Sequence, residues 1–381
     1  MAAIVIFGAT GYTGELTARA LVARGVRPVL AARSPERLCA LAGALGNLAT
    51  GDLDTAVADV DRPDSVRALV GAGDVLVSTV GPFFRYGGPA VRAAVDAGAH
   101  YLDSTGEGPF IRSVFEQHGP EAARAGCALL TAFGFDWVPG NLAGALALRE
   151  AGPRARRIDI GYFVTGSPSG GTRASAAGML LEPAFGWRSH QLVREPTGRR
   201  THSFDVDGQR FSGLSVGGSE HLALPRQYPD LTDVGVYVGH RPSPTPHAGA
   251  HRPAVSGAAT RALQAGSVVL NTAARLPGVR GTLQVAARRL LPGSTGGPDA
   301  DSRARTHSTV VAVATDADGH HLAQARLEGI NAYDFTANIL AWAAQRIAAG
   351  GLSECGALGP VDGFDLDALE EGVAEAGLRR V

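Results

Sequence analysis

Short apolar runs alternate with helix-like stretches along the first third of the chain. The apolar runs stand at residues 3–8, 28–32, 55–59, 74–80, 100–103 and 127–133. Their average spacing of about 25 residues is typical of parallel strands joined by helical crossovers. The first run, Ala-Ile-Val-Ile-Phe-Gly, has no polar interruption, as expected of a strand buried on both faces. The pattern predicts an α/β fold with a doubly wound parallel (Rossmann) sheet over residues 1–133.

The pattern changes after Pro139. Further strand-like runs stand at residues 157–165, 231–239, 306–315 and 320–328. The last two flank the turn sequence Asp316-Ala317-Asp318-Gly319, which predicts a hairpin. We therefore expect a second α/β domain, built on a mixed or antiparallel sheet, over residues 134–330.

Helical periodicity returns in two later stretches. Residues 258–291 alternate apolar and arginine positions in a helix-like way. Residues 333–349 predict a long helix, which lies in a C-terminal helical segment covering residues 331–381.

Composition narrows the class of protein. Of 381 residues, 45% are hydrophobic and 19% charged, so the chain can bury a core. A net charge of −1 argues against binding nucleic acid or a membrane surface through bulk charge. No apolar run reaches the roughly 18 residues of a membrane span, and no basic leader precedes the first strand, so we expect a cytoplasmic protein.

Two residue types exclude several kinds of chemistry. The chain contains no lysine, which excludes a Schiff-base or pyridoxal-phosphate lysine, a Walker-type phosphate loop and a Tyr–Lys reductase pair. The three cysteines, Cys39, Cys127 and Cys355, are too few and too scattered for a disulfide framework or a zinc cluster.

The turn after the first strand has the spacing of a dinucleotide-binding loop. Its sequence is Gly8-Ala9-Thr10-Gly11-Tyr12-Thr13-Gly14. Gly8 permits a tight turn, Gly11 lets a diphosphate approach the backbone, and Gly14 lets the helix pack close to the sheet. The amides of Tyr12 and Thr13 begin a helix, where partial positive charge favours a phosphate.

The end of the second strand indicates which nicotinamide cofactor is bound. Enzymes that use NAD usually carry Asp or Glu there, bonded to the ribose hydroxyls. This chain has Ala31-Ala32-Arg33-Ser34 instead. A guanidinium can hold the additional 2′-phosphate of NADP(H), so we predict NADPH, with Arg33 as its main ligand and Ser34 and Arg37 in support.

The ends of the third and fourth strands complete the predicted cofactor site. Asp59 and Val60 would flank the adenine. Thr79, Val80, Gly81 and Pro82 follow the fourth strand and would lie beside the nicotinamide, because the carboxyl ends of parallel strands form the ligand crevice.

Motifs spread along the chain carry a resemblance to a known family. Beyond the glycine turn, they are Val80-Gly81-Pro82-Phe83 with Tyr86-Gly87, Gly98-Ala99-His100-Tyr101-Leu102-Asp103 with Thr105-Gly106-Glu107, Gly134-Phe135-Asp136 with Pro139, Ser169-Gly170-Gly171-Thr172, Gly296-Gly297-Pro298 with Arg303, and Tyr333 with Thr336-Ala337. In this order they resemble the saccharopine dehydrogenase-like oxidoreductases, and among these most of all the trans-acting enoyl reductases of bacterial lipid and polyketide assembly.

The resemblance implies a fold and an activity. It implies a Rossmann domain, a second α/β domain, a C-terminal helix that returns to the first domain, and NADP-dependent hydride transfer. Trp137 stands where the family has a small serine, and Gly140-Asn141 stands where it has Ser-Asp. The identity of the substrate is therefore not carried over.

Candidate groups for proton transfer lie near the expected crevice. Reduction of a conjugated C=C bond needs a proton for one carbon and a donor near the carbonyl oxygen. The candidates are Tyr86, Tyr101, Asp103, Glu107, Asp136 and Thr172. The alternative for Asp103 is that it caps the next element, and the alternative for Asp136 is that it holds a turn. Water is a further source of the proton.

Three functions stay open at this point. The first is an NADPH-dependent reductase of an activated C=C bond in a polyketide-, lipid- or other natural-product-like small molecule, free or bound to a carrier protein. The second is a C=N or C–N oxidoreductase of amino-acid type, for which Arg85 and Arg173 would bind carboxylates. The third is a sensor that binds NADP without catalysis.

Two expectations concern partners and metals. Residues 176–187 line an apolar pocket, form a homodimer contact, or belong to a core helix of the second domain. We expect no metal, because proline and glycine surround His247 and His251, and because His320 and His321 lie at a predicted hairpin end.

Overall fold

The computed structural model describes residues 2–46, 48, 51–165, 184–240 and 296–381. The chain forms two compact units. The first contains residues 1–142 and 332–378, and the second contains residues 143–331 and 379–381.

The amino-terminal part follows the predicted alternation. Its elements are β1 (Ile4–Phe7), α1 (Tyr12–Ala23), β2 (Val29–Ala32), α2 (Pro35–Gly46), β3 (Thr55–Val57), α3 (Pro63–Arg67), β4 (Val75–Ser78), α4 (Phe83–Tyr86), α5 (Gly88–Ala97), β5 (His100–Asp103), α6 (Gly108–Ser113), a π-helical turn (Val114–His118), α7 (Gly119–Ala125), β6 (Ala128–Leu130) and α8 (Val138–Ala151).

Strands predominate in the middle of the chain. The elements are a 3₁₀ turn (Gly152–Arg154), β7 (Arg157–Val164), β8 (Phe185–Arg188), β9 (Gln191–Arg194), β10 (Thr201–Val206), β11 (Gln209–Ser215), α9 (Glu220–Gln227), β12 (Asp233–His240), α10 (Ala300–Ala304), β13 (Ser308–Thr315) and β14 (His321–Gly329). The carboxyl-terminal elements are α11 (Ala332–Ala348), β15 (Gly356–Ala357), α12 (Pro360–Phe364), α13 (Leu366–Ala376) and β16 (Leu378–Arg380).

The first unit is built on a parallel sheet of seven strands in the order β15-β6-β5-β4-β1-β2-β3. Ile6 of the central strand β1 lies opposite Leu30 of β2 and Val77 of β4. All four residues of β1 are buried, as expected of a strand covered on both faces. The parallel Rossmann sheet predicted from the alternation is therefore confirmed.

The carboxyl-terminal helix α11 belongs to the first unit. The Arg24 guanidinium after α1 donates to the Gln345 side chain of α11 over 2.8 Å. The Tyr12 and Tyr333 rings, near the start of the same two helices, meet edge to face with centroids 5.4 Å apart. These contacts join residues more than 300 positions apart, so no local pattern could have paired them.

The second unit contains a mixed sheet, as predicted. Its main path runs β10-β11-β12-β7-β13-β14-β16, and β8 joins β12 to β9. Strand β12 is parallel to β7, whereas β13 is antiparallel to both β7 and β14. The hairpin predicted around residues 316–319 is formed by β13 and β14.

Residues 176–187 fall only partly within the described structure. Residues 176–183 lie outside it, as do residues 258–291. Phe185 to Trp187 form part of strand β8 rather than a core helix, because Phe185 pairs with Arg194 and the Trp187 indole donates to the Leu231 carbonyl oxygen. Within the described part of the chain, no helix is long and apolar enough to cross a membrane.

Candidate active site at the carboxyl edge of the parallel sheet

The glycine turn after β1 has a backbone that needs glycine at two positions. Gly8 has φ +93°, a conformation that side chains rarely adopt. A Cβ atom on Gly14 would lie 2.2 Å from the Gly8 carbonyl oxygen, so α1 can approach the turn only without a side chain there. The Gly8 amide donates to the Ala31 carbonyl oxygen over 2.8 Å, which holds the turn against β2.

The turn leaves the start of α1 available to an anion. Gly11 is the N-cap residue, has no side chain to cap the helix, and is exposed. The amides in the first turn of a helix have no partner within the helix and carry partial positive charge. The cradle around Gly8, Gly11 and Gly14 therefore fits the diphosphate of a dinucleotide.

The three residues predicted to hold the 2′-phosphate have different contacts after β2. Ser34 caps α2, since its hydroxyl oxygen accepts from the Arg37 amide over 3.2 Å. The Arg37 guanidinium donates to the Thr10 carbonyl oxygen over 2.6 Å and so holds the glycine turn. Arg33 is exposed and makes no hydrogen bond or ion pair within the described residues, so its guanidinium is available to a phosphate.

The ends of β3 and β4 lie at the same edge as the glycine turn. Asp59 and Val60 follow β3 and are partly buried, and the Asp59 carboxylate accepts from the Asp61 amide over 3.1 Å. The Thr79 hydroxyl donates to the Phe7 and Gly8 carbonyl oxygens over 3.3 and 3.2 Å. Thr79 thereby joins the end of β4 directly to the turn.

A short helix follows the Gly81-Pro82 peptide, which is cis. Helix α4 begins at Phe83, and the two carboxylate oxygens of Glu107 accept from the Phe83 and Phe84 amides over 2.8 and 2.9 Å. Glu107 therefore acts as a side-chain cap that joins the end of β5 to α4. From the sequence, Glu107 is a candidate for proton transfer only, because the 24 positions that separate it from Phe83 hide this contact.

Tyr86 is the last residue of α4 and is partly buried. The Arg85 guanidinium lies over its ring, 4.9 Å from the centroid. Its hydroxyl has no hydrogen-bond partner among the residues that the structure describes, so it can donate to a ligand.

Tyr101 and Asp103 lie inside the sheet, away from solvent. The Asp103 carboxylate accepts from the Thr105 amide, the Ala132 amide and the Thr131 hydroxyl over 2.8–2.9 Å. Burial raises the pKa of Asp103 to about 6 against the opposing effect of these hydrogen bonds. Tyr101 has no exposed surface, so its hydroxyl does not reach a substrate, and its predicted role as a catalytic residue does not fit this position.

Asp136 combines partial exposure with a raised pKa. It follows β6, and its Oδ2 atom lies beside Gly106, 3.0 Å from where a Cβ atom would stand. Within the described chain nothing donates a hydrogen bond to its carboxylate. Burial against its neighbours raises its pKa to about 6. This is the pKa expected of a carboxyl group that exchanges a proton near neutral pH.

Thr336 of α11 fixes the backbone that carries Asp136. Its hydroxyl oxygen accepts from the Phe135 amide over 3.0 Å, and its side chain fills the space over Gly134. The Phe135 and Phe335 rings meet edge to face, with centroids 6.2 Å apart. Sequence reasoning missed this support, because Thr336 is 201 residues from its partner.

Not every residue that the sequence analysis singled out can be assigned to this edge of the sheet. Thr172 and Arg173 fall outside the described residues. Asp316, Asp318 and His320 bring one ligand atom each within 4.8 Å at the tip of the β13–β14 hairpin, but Asp316 is already bonded to the Asp318 and His320 amides. These contacts account for the cluster as a turn.

The fold and the site together define a Rossmann oxidoreductase that binds a phosphorylated dinucleotide. Residues 4–130 match the family described as the saccharopine dehydrogenase NADP binding domain. The yeast (Saccharomyces cerevisiae) saccharopine dehydrogenase (L-Glu forming), in its apo form, shares the fold with a TM-score of 0.56, at 12% identity and with 100% and 99% of the two chains covered.

Relatives of nearly the same length give the family. The chain is 30% identical over 368 residues to a trans-acting enoyl reductase of Mycobacterium ulcerans (strain Agy99), covering 88% of this chain and 86% of that protein. It is also 43% identical over 141 residues to a trans-acting enoyl reductase of Mycobacterium leprae (strain TN), a match that covers 36% of this chain and 34% of that protein. The chain belongs to the trans-acting enoyl reductase family and is an NADP-dependent oxidoreductase.

Proposed function

We propose that this protein reduces a C=C bond conjugated to a carbonyl group in a polyketide- or lipid-like small molecule, with NADPH as reductant. The names of its relatives support the enoyl substrate. The observation that carries the proposal is Asp136, a partly exposed carboxyl group with a pKa near 6 at the carboxyl edge of a dinucleotide-binding sheet.

The described residues divide the binding of NADPH among several strand ends. The turn at Gly8, Gly11 and Gly14 holds the diphosphate, and Arg33 holds the 2′-phosphate. Asp59 and Val60 border the adenine, whereas Thr79, Val80, Gly81 and Pro82 border the nicotinamide. When bound, the reduced nicotinamide supplies a hydride, and the protein contributes binding, orientation and proton transfer.

Asp136 supplies the proton. Because its carboxyl group ionises near pH 6, about one tenth of it carries a proton at pH 7, and its exposed face can deliver that proton to a carbon atom. The Tyr86 hydroxyl donates a hydrogen bond to the carbonyl oxygen of the substrate, where negative charge develops. The predicted role of Thr172 stays a prediction.

The substrate reaches this site on a carrier. A trans-acting enzyme works on an intermediate held by a separate assembly protein, so we expect a carrier-bound thioester to react with a lower KM than the same acyl group on a short thiol. The cytoplasmic location stays a prediction. The homodimer also stays a prediction, and light scattering tests it.

Product analysis with a panel of substrates tests the function. Purified protein is incubated with deuterated NADPH and, separately, with an enoyl thioester, a cyclic imine and an aldehyde. We expect deuterium in the saturated thioester alone, and a loss of about 100-fold in rate for Asp136→Asn. Asp64→Asn, at an exposed position of α3, is the matched control and should react normally. Turnover of the imine instead of the thioester would favour the C=N oxidoreductase. If none of the three substrates reacted, the hypothesis of a non-catalytic sensor that binds NADP would remain.

A further inference from the structure

Two of the three cysteines directly precede neighbouring strands of the parallel sheet. Gly356 of β15 lies opposite Ala128 of β6, and its amide donates to the Cys127 carbonyl oxygen over 2.8 Å. Cys355 directly precedes Gly356, and Cys127 directly precedes Ala128. The two cysteines therefore directly precede paired residues at the amino ends of β6 and β15.

The spacing of neighbouring strands is compatible with a disulfide between these two positions. Neighbouring strands lie about 4.8 Å apart, and the Cα atoms of a disulfide are usually 4.4–6.8 Å apart. The thiols are within electrostatic reach of each other, because a negative charge on Cys355 adds to the effect of burial, which raises the pKa of Cys127 to about 11. Both thiols are free in this structure, Cys355 exposed and Cys127 buried.

We propose that Cys127 and Cys355 are a reversible oxidation site, at which thiol–disulfide exchange with a low-molecular-weight disulfide such as oxidised glutathione forms a bond between their Sγ atoms.

The different exposure of the two thiols sets the order of the reaction. The exposed Cys355 thiolate attacks one sulfur of oxidised glutathione, forms a mixed disulfide and releases one glutathione. Cys127 then loses its proton, attacks the Cys355 sulfur and releases the second glutathione. Two protein thiols are oxidised, one glutathione disulfide is reduced, and the two cysteine protons end on the two released thiols.

The link would join the edge strand β15 to β6 and close a loop of more than 200 residues in the unfolded chain. A disulfide over so long a loop restricts the unfolded chain strongly, so we expect the oxidised protein to melt about 5 °C higher than the reduced one. Because the reaction needs only these two thiols and oxidised glutathione, it does not depend on turnover of the reductase substrate.

Thiol counting and mass spectrometry on the native full-length protein test the site. The background variant Cys39→Ser removes the exposed third thiol. After exposure to oxidised glutathione, we expect both remaining thiols to disappear together, the mass to fall by two hydrogens, and a reductant to restore both thiols and the lower melting temperature. Adding Cys127→Ser should trap one glutathione on Cys355, and adding Cys355→Ser should leave Cys127 unmodified.

Three results would overturn the proposal. They are a Cys39→Ser protein that keeps glutathione on Cys355 with the Cys127 thiol still present, one that forms only covalent dimers, and one that keeps both thiols. The Cys39→Ser protein, which keeps Cys127 and Cys355, is enough to distinguish these results from the intramolecular disulfide. The test therefore holds even if the added Cys127→Ser or Cys355→Ser substitution impairs folding.

Discussion

Replacing Arg33 with alanine should change the choice between the two nicotinamide cofactors. Arg33 follows β2, is exposed, and makes no hydrogen bond or ion pair within the described chain. If its guanidinium holds the 2′-phosphate, Arg33→Ala removes a contact that NADPH makes and NADH lacks. The affinity for NADPH should therefore fall while the affinity for NADH stays the same.

The size of the effect follows from the exposure of Arg33. A hydrogen bond between charged groups contributes about 1.5–3 kcal/mol when it is partly shielded from water. Water and salt weaken the contact at an exposed position, so the lower end of that range applies, and about 1.4 kcal/mol corresponds to a factor of ten in the dissociation constant. We expect NADPH to bind Arg33→Ala about tenfold more weakly, and the difference from wild type to shrink as salt is added.

Fluorescence titration of both cofactors at low and high salt measures the effect. Arg37→Ala is the matched control, because Arg37 donates to the Thr10 carbonyl oxygen and supports the turn that both cofactors use. Arg37→Ala should weaken the binding of NADPH and of NADH to the same extent. If Arg33→Ala weakened both cofactors equally, or neither, the 2′-phosphate would be held elsewhere.

Three further changes test the turn, the proton donor and the cap. Gly14→Ala places a Cβ atom 2.2 Å from the Gly8 carbonyl oxygen and should weaken NADPH binding at least 100-fold by titration, whereas Gly43→Ala, whose Cβ atom meets nothing within 4 Å, should not. The wild-type kcat should be constant below about pH 6 and fall tenfold per pH unit above it, as protonated Asp136 is depleted, and Asp136→Asn should show no such fall. Glu107→Ala frees the Phe83 and Phe84 amides and should lower the free energy of unfolding by about 1–3 kcal/mol in a urea titration; no change would mean that α4 needs no cap.

The elements and the cofactor turn could be predicted because their signals are local. The apolar run of β1 and the three glycines after it lie within 11 consecutive residues, residues 4–14, and each glycine has a steric reason that holds in any protein with this turn. The absence of an acidic residue after β2 is equally local. These features need no knowledge of what packs against them.

The proton-transfer candidates could not be ranked in the same way. Tyr101 and Tyr86 are both tyrosines close to strand ends, but Tyr101 belongs to β5 and is fully buried, whereas Tyr86 lies on a short helix and is partly exposed. Alternation along β5 cannot show this, because a strand in the centre of a parallel sheet is buried on both faces. The support that Thr336 gives to Phe135 joins residues 201 positions apart, which only tertiary packing can reveal.

Asp103 and Asp136 show why similar pKa values do not give similar roles. Burial raises the pKa of both carboxyl groups to about 6. Asp103 accepts three hydrogen bonds, whereas Asp136 accepts none from the described residues. All three donors bind a carboxylate more strongly than a neutral amide, so Asp103→Asn loses the charge that strengthens these hydrogen bonds, whereas Asp136→Asn removes only a poorly solvated charge. A carboxyl group whose native pKa is raised stabilises the fold less as pH rises from about 4 to 6, so at pH 7 Asp136→Asn should keep or raise the melting temperature while lowering turnover about 100-fold. Asp103→Asn should lower it at the same pH, and equal effects of the two variants on stability and turnover would contradict this division of roles.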